Sequence, residues 1–392
     1  MQKIKNIVKH NQFLGIIYLT IFRFLFNVLQ KFIKIDPKLI LLTSYSGRQV
    51  SDSPFQIYKD LKADPRFSDY KFLWGVVDKN DADQIPTNEK VEIDSIKFIF
   101  KLLKSKYWIS NTSIERLINF DHRDHVYINT WHGIPMKHLG PDESNLEFLV
   151  KNWFHTVKFD LLYSSGDYDQ QIFKRIFPQT EKIVKLGLPR NKELLVKETI
   201  DKKRCELSKR LHLDPNKETL LYAPTFREYN NVGNTNVFTF PFDKKTIHKI
   251  NQKYNFLVRG HYFIEDLRYN SDENSFVDVS SYPDINDLFA ISDVLISDYS
   301  SLIFDYSLLQ NRRIILYLSD IDEYIQHRGF YLDPRELDIT RAFNLSELMD
   351  ALFDYDINAE WNKTKKLSEC FNENFDMNSE YLKHFILNWE QK

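Results

Sequence analysis

Short runs of apolar residues alternate with amphipathic stretches along most of the chain from residue 38 onward. Runs such as KLILLTSY (38–45) and VYINTW (126–131) are apolar almost throughout, which is typical of strands buried on both faces of a parallel sheet. Stretches such as SPFQIYKDLK (53–62) repeat their apolar positions at helical spacing. The pattern therefore predicts an α/β fold in which parallel strands alternate with helices.

The alternation occurs twice, and a polar, helix-like stretch ending at Asp214-Pro215 separates the two halves. We expect two Rossmann-like domains, over residues 37–195 and 196–392. The helical tail is counted with the second domain and could pack on either. The other predicted strands are KFLWGVV (71–77), YWISN (107–111), LLYSS (161–165), KIVKLG (182–187), TLLYAPTF (219–226), NFLVRGH (255–261), SFVDVS (275–280), VLISDY (294–299) and RIILYLS (313–319). Ligands of such sheets bind beyond the carboxyl ends of the strands, so we expect a cleft between the domains there.

The first 36 residues differ from the rest. Six cationic residues and no acidic one precede Asp36, and the apolar run FLGIIYLTIFRFLFNVL (13–29) lies among them. No small-residue cleavage site follows the run, which argues against a signal peptide. We interpret residues 1–36 as a basic amphipathic helix lying on an anionic membrane surface. A helix packed on the protein's own core and a membrane-spanning helix remain alternatives.

Composition narrows the functional class. A chain of 392 residues fits two domains, and a net charge of −2 without a recognisable binding motif argues against nucleic acid as a partner. Cys205 and Cys370 form no CxxC pair, so a disulfide scaffold is not expected and a reducing compartment fits better.

Residues whose side chains could bind a ligand or take part in catalysis cluster where predicted strands end. Their cationic and hydrogen-donating side chains at the mouth of one cleft suit a phosphate-rich ligand. The candidates are His132, Gly133 and Lys137 after VYINTW, Thr225 and Arg227 after TLLYAP, Arg259 and His261 at the end of NFLVRG, and Asp298, Ser300, Ser301 and Asp305 after VLIS.

Each candidate also has a purely structural interpretation. His132 and His261 could take a proton from a hydroxyl or bind phosphate, or each could simply be a hydrogen-bonded structural histidine. The arginines could bind a diphosphate or be solvated or ion-paired, and a serine of DYSS (298–301) could cap a helix with or without an anion. No GxGxxG or GxxxxGK[ST] motif is present.

A metal site is the competing interpretation of DHRDH (121–125), where His122, Asp124 and His125 could act as ligands. That run precedes its strand, so it belongs to the opposite edge of the sheet, and no second carboxylate cluster supports it.

The ordered set TWHGIPMKHLG, LYAPTFRE, RGH and SDYSSLIFDY resembles the CDP-glycerol glycerophosphotransferase family, the teichoic-acid primases and polymerases. SYSGRQVSDSPFQIYKDL, KYWISNT and GLPRNKELL resemble further segments of that family, so the similarity extends from about residue 39 to 330. The resemblance implies a GT-B fold, a peripheral position on the cytoplasmic face of the membrane, and transfer of a polyol phosphate from CDP-glycerol or CDP-ribitol to a lipid-linked acceptor, with release of CMP.

The resemblance also implies residue roles. His132 matches the family's general base for the acceptor hydroxyl, and His261 matches the histidine that contacts the donor's phosphates. Donor binding is implied for Arg227, Ser300 and Ser301, and Asp298 and Asp305 match the SDYSS..FDY pattern. Thr225 and Arg259 are assigned to the donor side from their positions at strand ends. Gly133, Lys137 and Arg190 fall on the acceptor side. Family members often have HP in the RGH region, where HYF (261–263) stands here, so this loop is expected to differ.

These donors could neutralise the phosphates without a metal, so we predict that no cofactor or metal is needed. The lack of a large acceptor-binding extension favours a compact transferase that adds a single unit or builds a capsule-type polymer. Three alternatives remain: a GT-B glycosyltransferase using a nucleotide-sugar, a nucleotide-sugar epimerase of the same architecture, and a catalytically silent membrane-bound assembly protein.

Overall fold

The computed structural model describes residues 11–80, 82–122, 124–144, 146–225, 227, 231–232, 235–236, 240–260, 276–377 and 379–390. The chain divides into two compact units. The first contains Met1–His132, Leu139–Lys192 and Glu373–Lys392, and the second contains Gly133–His138 and Glu193–Asn372. The alternation of strands and helices predicted from the sequence is present in both.

Within the described residues, the first unit is built on a seven-stranded parallel sheet in the order β3-β2-β1-β4-β5-β6-β7. The strands are β1 (Asp36–Thr43), β2 (Lys71–Val76), β3 (Lys90–Glu92), β4 (Ser105–Ser110), β5 (Val126–Asn129), β6 (Leu161–Ser164) and β7 (Ile183–Lys185). The helices are α1 (Gln12–Leu29), α2 (Asp52–Lys62), α3 (Ile96–Lys104), α4 (Phe148–Thr156) and α5 (Asp167–Ile176). Because helices cover both faces, the central strands are buried and apolar throughout.

The second unit has a parallel sheet in the order β12-β11-β8-β13-β14-β15. Its strands are β8 (Glu218–Tyr222), β11 (Tyr254–Val258), β12 (Val277–Asp278), β13 (Val294–Ser297), β14 (Arg313–Tyr317) and β15 (Thr340–Ala342), and Asn231–Val232 (β9) pairs separately with Thr235–Asn236 (β10). The helices that follow α5 in the chain are α6 (Lys197–Arg210), α7 (Lys244–Lys253), α8 (Ile285–Ile291), α9 (Leu302–Tyr306), α10 (Ile321–His327), α11 (Leu345–Phe353), α12 (Ile357–Phe371) and α13 (Glu380–Glu390).

The two sheets share one topology. In the first, the chain passes from β1 outward to β2 and β3 and then returns to place β4 on the other side of β1. In the second, β8, β11 and β12 run one way and β13 returns to the other side of β8. The point where the strand order reverses is where open α/β sheets bind ligands, at the carboxyl ends of the strands.

The C-terminal tail belongs to the first unit. The sequence counts it with the second domain and leaves its packing open, and the residues from Glu373 onward lie in the first unit. The amphipathic α13 buries Leu382 and Ile386 in the core beneath the first sheet, and the Tyr107 hydroxyl donates a hydrogen bond to the Ile386 carbonyl over 3.2 Å. The tail therefore completes the first unit's core, a long-range contact that local periodicity does not encode.

Candidate active site

The loop after β1 reaches across the reversal point of the first sheet to the loop after β4. Tyr45 N donates to Asn111 Oδ1 over 2.8 Å, and Ser46 N donates to Thr112 Oγ1 over 3.0 Å. Tyr45, Ser46 and Gly47 all have positive φ angles, and a Cβ at Gly47 would clash with the Ile93 side chain. Glycine is therefore required at this position, and side-chain hydrogen bonds hold the tight loop in place.

The loop after β5 places His132. The strand ends at Asn129, earlier than we predicted, because Thr130 N bonds to the Ser110 carbonyl and Trp131 N bonds to Asn129 Oδ1. Trp131 has a φ of 52° and buries its ring near Phe154, Phe173 and Phe177. A bulky residue in this conformation is strained, and its buried ring fixes the point from which His132 projects.

The ring of His132 is oriented from two sides. It stacks on Trp131 with 4.5 Å between ring centroids, and its Nδ1 lies 2.9 Å from the Asn111 carbonyl oxygen. A carbonyl only accepts hydrogen bonds, so Nδ1 carries the proton and Nε2 carries the lone pair of the neutral ring. This is the tautomer that a general base needs.

Arg190 joins His132 to a buried carboxylate. Its Nη1 donates to the His132 carbonyl over 3.1 Å and to Asp52 Oδ2 over 2.6 Å, and the Tyr45 hydroxyl also donates to Asp52. Burial alone would raise the pKa of Asp52, but Arg190, Tyr45 and the Ser53 N–H outweigh it, so the pKa lies below its ordinary value. Asp52 is therefore an ionised anchor for Arg190 and, through it, for the backbone of His132.

Sequence reasoning identified His132 and Arg190 but missed the three residues that hold them: Tyr45, Asp52 and Asn111. Asp52 resembles an ordinary residue at a helix start, before Ser53-Pro54, and only its φ of 64° distinguishes it. The available signal was the position of SYSGRQVSDSPF and KYWISNT directly after predicted strands.

Gly133 and Lys137 lie in the short segment Gly133–His138, which belongs to the second unit. Gly133 has a φ of 154°, and Lys137 forms an isolated antiparallel bridge with Phe330. Tyr331 N also donates to the Met136 carbonyl over 2.8 Å. Their predicted acceptor-side role stays a prediction.

In the second unit, Arg227 is held by two carboxylates. Its guanidinium lies 2.8 Å from Asp298 Oδ2 and donates to Asp320 through Nε over 2.6 Å and Nη2 over 3.0 Å. It also lies over the rings of Tyr299 and Tyr324. Burial would lower the pKa of Arg227, but the two carboxylates raise it above its ordinary value. The sequence left open whether Arg227 binds a diphosphate, is solvated or is ion-paired. In the structure it is ion-paired.

Asp298 joins the loops on either side of the second sheet's reversal point. Both of its carboxylate oxygens accept from Thr225 N, at 2.9 and 3.1 Å, and Oδ1 also accepts from Tyr299 N. Thr225 Oγ1 is buried and has no hydrogen-bond partner among the described residues. Asp298 thus positions the loop that carries Thr225 and Arg227.

The DYSS segment caps its helix through Ser300, whose Oγ accepts from Leu302 N over 3.3 Å, while Ser301 makes no side-chain cap. The capped helix is short, because α9 ends at Tyr306. Asp305 is fully buried within it. One turn of helix has a weaker dipole than the sequence suggested.

Arg259 directly follows β11, and its backbone N donates to the Tyr222 carbonyl over 2.9 Å. It therefore lies at the same sheet edge as Thr225. The predicted His261 lies outside the described residues.

The competing metal interpretation gains no support. Among the residues that the structure describes, no group of three or more His, Cys, Asp or Glu side chains is placed to hold a metal ion. His122 and His125 instead bond through ring nitrogens to the backbone carbonyls of Lys158 and Ser105.

Comparisons with known proteins agree with the motifs. The family model described as CDP-Glycerol:Poly(glycerophosphate) glycerophosphotransferase matches residues 25–382. A Staphylococcus aureus teichoic acid glycerol-phosphate transferase is 32% identical over 365 residues, covering 89% of each chain. A Staphylococcus epidermidis teichoic acid poly(glycerol phosphate) polymerase is 32% identical over 329 residues; the match covers 80% of this chain and 45% of that relative. The solved structure of the wall teichoic acid polymerase TagF superposes with a TM-score of 0.82 at 29% identity, covering 94% of this chain and 93% of that one.

Proposed function

The chain belongs to the CDP-glycerol:poly(glycerophosphate) glycerophosphotransferase family, as its motifs predicted, and on that premise we propose which reaction it catalyses and how. It moves glycerol phosphate or ribitol phosphate from a CDP-activated donor to a hydroxyl of a membrane-linked acceptor in teichoic-acid or capsule-type polymer synthesis. CMP is released. A GT-B arrangement of two Rossmann-like domains is part of the proposal, supported by the shared topology of the two parallel sheets.

The observation that carries the proposal is the state of His132. Its Nδ1 proton is committed to the Asn111 carbonyl, and its backbone is anchored through Arg190 to Asp52. We propose that Nε2 accepts the proton of the acceptor hydroxyl as that oxygen attacks the β-phosphorus of the donor. The bond from the β-phosphorus to the oxygen bridging it to the α-phosphorus breaks, and this oxygen leaves with CMP. Fixing the base in this way supplies orientation before the reaction starts.

For the donor side we propose Thr225, Arg259, His261, Ser300 and Ser301 as phosphate ligands. The unpartnered hydroxyl of Thr225 and the position of Arg259 at the same sheet edge support this assignment. In this proposal Arg227, Asp298 and Asp320 do not bind the donor directly, because their charges are already paired with each other. They hold the phosphate ligands in place. No metal is required in this proposal, since hydrogen-bond donors and cationic side chains neutralise the phosphates.

We further propose that the enzyme lies on the cytoplasmic face of the membrane and that α1 binds the lipid surface. By length and composition α1 is the one helix among the described residues that could cross a membrane. However, Leu19 and Phe26 are buried against the first unit, and Arg23 Nε donates to the Asn119 carbonyl over 2.7 Å. The only charge in the run thus faces the protein, and the opposite face exposes Phe13, Ile16, Ile17, Ile21 and Phe24. A helix that packs along a domain on one side and is apolar on the other suits a membrane interface.

Replacing Ile17 and Phe24 together by serine should abolish flotation of the full-length protein with anionic liposomes while leaving the fold intact. Both side chains are exposed, at 41% and 67%, so the packed face of α1 is untouched. Deletion of residues 1–34 should have the same effect on flotation and leave only weak activity on membrane-embedded acceptor. Phe343→Ser, which alters an exposed phenylalanine of the second unit, is the matched control. Flotation of the double variant at the wild-type level would refute binding through α1.

Nucleotide release tests the reaction itself. With acceptor present, CDP-glycerol or CDP-ribitol should yield CMP, UDP-sugars should yield no UDP, and EDTA should leave the rate unchanged. Release of UDP from a UDP-sugar with no CMP from either CDP-polyol would identify a glycosyltransferase instead. Loss of rate with EDTA that added divalent cation restores would refute only the metal independence.

A further inference from the structure

A second cavity lies in the first unit at the edge of the sheet opposite the candidate active site. It has a volume of about 600 Å³ and is bordered by the loops that precede β5 and β6. We call it the amino-edge pocket; its walls include Asp121, His122, His125, Lys158, Asp160 and Gln179. The predicted reaction uses none of these residues, so the pocket needs its own explanation.

His125 lines this pocket and has an acceptor that makes no hydrogen bond among the described residues. The side chain is 2% exposed and stacks on Trp108 with 4.4 Å between ring centroids. Nδ1 lies 2.7 Å from the Ser105 carbonyl oxygen, so it carries the proton and Nε2 carries the lone pair. Nε2 is buried and has no hydrogen-bond partner among the described residues. A buried acceptor without a partner destabilises the fold, and a ligand with a hydrogen-bond donor would relieve that cost.

His122 has the complementary arrangement. Its Nε2 lies 2.9 Å from the Lys158 carbonyl oxygen, so Nε2 donates and Nδ1 holds the lone pair. Burial lowers the pKa of both histidines to about 4, and at neutral pH both rings are uncharged acceptors.

The remaining groups restrict the class of ligand. The carboxylates of Asp121 and Asp160 place negative charge on the pocket walls and disfavour an anion, and the Lys158 ammonium pairs with Glu181 over 3.3 Å. The described residues place no three-ligand metal cluster here. The two neutral ring acceptors, His125 Nε2 and His122 Nδ1, suit a neutral group that carries hydroxyls.

The pocket wall is attached to α1. Phe120 packs against Phe26, with 5.0 Å between ring centroids, and Asp121 N donates to Asn27 Oδ1 over 3.2 Å. The same stretch includes Asn119, whose carbonyl accepts from Arg23. A group held in the pocket therefore lies beside the helix whose outer face is apolar, where an attached alkyl chain would find a surface.

We propose that the amino-edge pocket binds a neutral, hydroxyl-rich group, the sugar or polyol head of a membrane lipid, through His125 Nε2 and His122 Nδ1. The free sugar or polyol has the same chemistry, and the alkyl chain distinguishes the two sources. The proposal concerns a site separate from the candidate active site, and its test requires no transfer activity.

The test follows the histidine ring nitrogens of full-length, ¹⁵N-histidine-labelled protein by NMR. The probes are glucose, glycerol, octyl glucoside below its micelle concentration, and octyl phosphocholine as the control for the alkyl chain. We expect octyl glucoside to shift the His125 Nε2 resonance saturably, about tenfold more tightly than glucose, and octyl phosphocholine to leave it unchanged. Equal affinity for glucose and octyl glucoside would mean that the pocket binds a hydroxyl-rich group but that this group is not the head of a lipid.

Two variants locate the site. His125→Phe keeps the ring stacked on Trp108 and removes the acceptor, and Gln179→Trp fills the rim from an exposed position without altering a histidine. Each should weaken octyl glucoside binding about tenfold or more, His125→Phe because one buried hydrogen bond is lost and Gln179→Trp because the rim is filled. Binding to His125→Phe is read from the ring nitrogens of His122. His248→Phe, an exposed histidine of α7, is the control. Absence of a shift in the wild type, or undiminished binding by folded Gln179→Trp, would overturn the proposal and leave a pocket that holds only water.

Discussion

Replacing His132 by alanine should lower turnover by about 10²-fold or more, the scale of losing a general base, while the protein folds normally. The ring donates a hydrogen bond to the Asn111 carbonyl, stacks on Trp131 and lies 6.0 Å from the ring of Tyr45. Losing contacts of this size should lower the free energy of unfolding by about 1–2 kcal/mol, which is too little to unfold the protein. The measurement is acceptor-dependent CMP release under saturating donor, with circular dichroism and thermal unfolding to confirm the fold.

His138→Ala is the matched control, since this histidine lies six residues further along the same motif and packs on Tyr331. It should leave turnover within a few-fold of the wild type. Transfer at the wild-type rate by a well-folded His132→Ala variant would exclude His132 as the base.

Replacing Arg227 by methionine should lower the stability of the second unit by about 3–5 kcal/mol, the cost of leaving buried charges without their partner. The side chain is 9% exposed, and its removal would leave Asp298 and Asp320 facing each other without a cation. In a thermal scan this corresponds to a shift of the second unit's transition of about 10 °C. Arg227→Lys keeps the charge but loses the two-pronged geometry, so an intermediate shift is expected.

Arg335→Met provides the comparison. Arg335 also forms paired hydrogen bonds with a carboxylate, Asp333, but its side chain is 43% exposed and solvent screens the pair, so its loss should shift the thermal transition far less than the loss of Arg227. An Arg227→Met variant as stable as the wild type would contradict the structural role of the Arg227 cluster. A folded Arg227→Lys variant with a raised KM for donor and an unchanged kcat would show that Arg227 binds the donor directly.

The sequence predicted the fold class because both sheets consist of short, continuously apolar strands. The strands of these two sheets that it missed, Lys90–Glu92 and Thr340–Ala342, are three-residue edge strands with charged or polar residues. They are defined by pairing with a neighbour, which leaves no periodic pattern in so few residues. The attachment of α13 to the first unit escaped prediction for a similar reason, because its partner Tyr107 lies 279 residues before Ile386.

Candidate site residues could be proposed from the sequence where a reactive side chain directly follows a strand, as with His132, Thr225 and Arg227, and their roles stay predictions. The residues that position His132 could not be predicted, because an unusual backbone conformation brings them to it. The positive φ angles of Tyr45, Asp52 and Trp131 turn three side chains toward His132, and non-glycine residues give little local signal for this conformation. The pairing of Arg227 with Asp320 links residues 93 positions apart, so the sequence alone left its solvated, ion-paired and ligand-binding interpretations open.

The central claim is that polyol phosphate, and not a sugar, moves to the acceptor. The most direct test uses CDP-glycerol and CDP-ribitol labelled in the polyol, incubated with full-length enzyme and a lipid-linked saccharide or polyol-phosphate acceptor. The account predicts label in the lipid-linked product from at least one donor, one CMP released for each unit transferred, and loss of both signals in His132→Ala. Label that stays in the aqueous fraction with either donor, while UDP-sugar label enters the lipid, would contradict it.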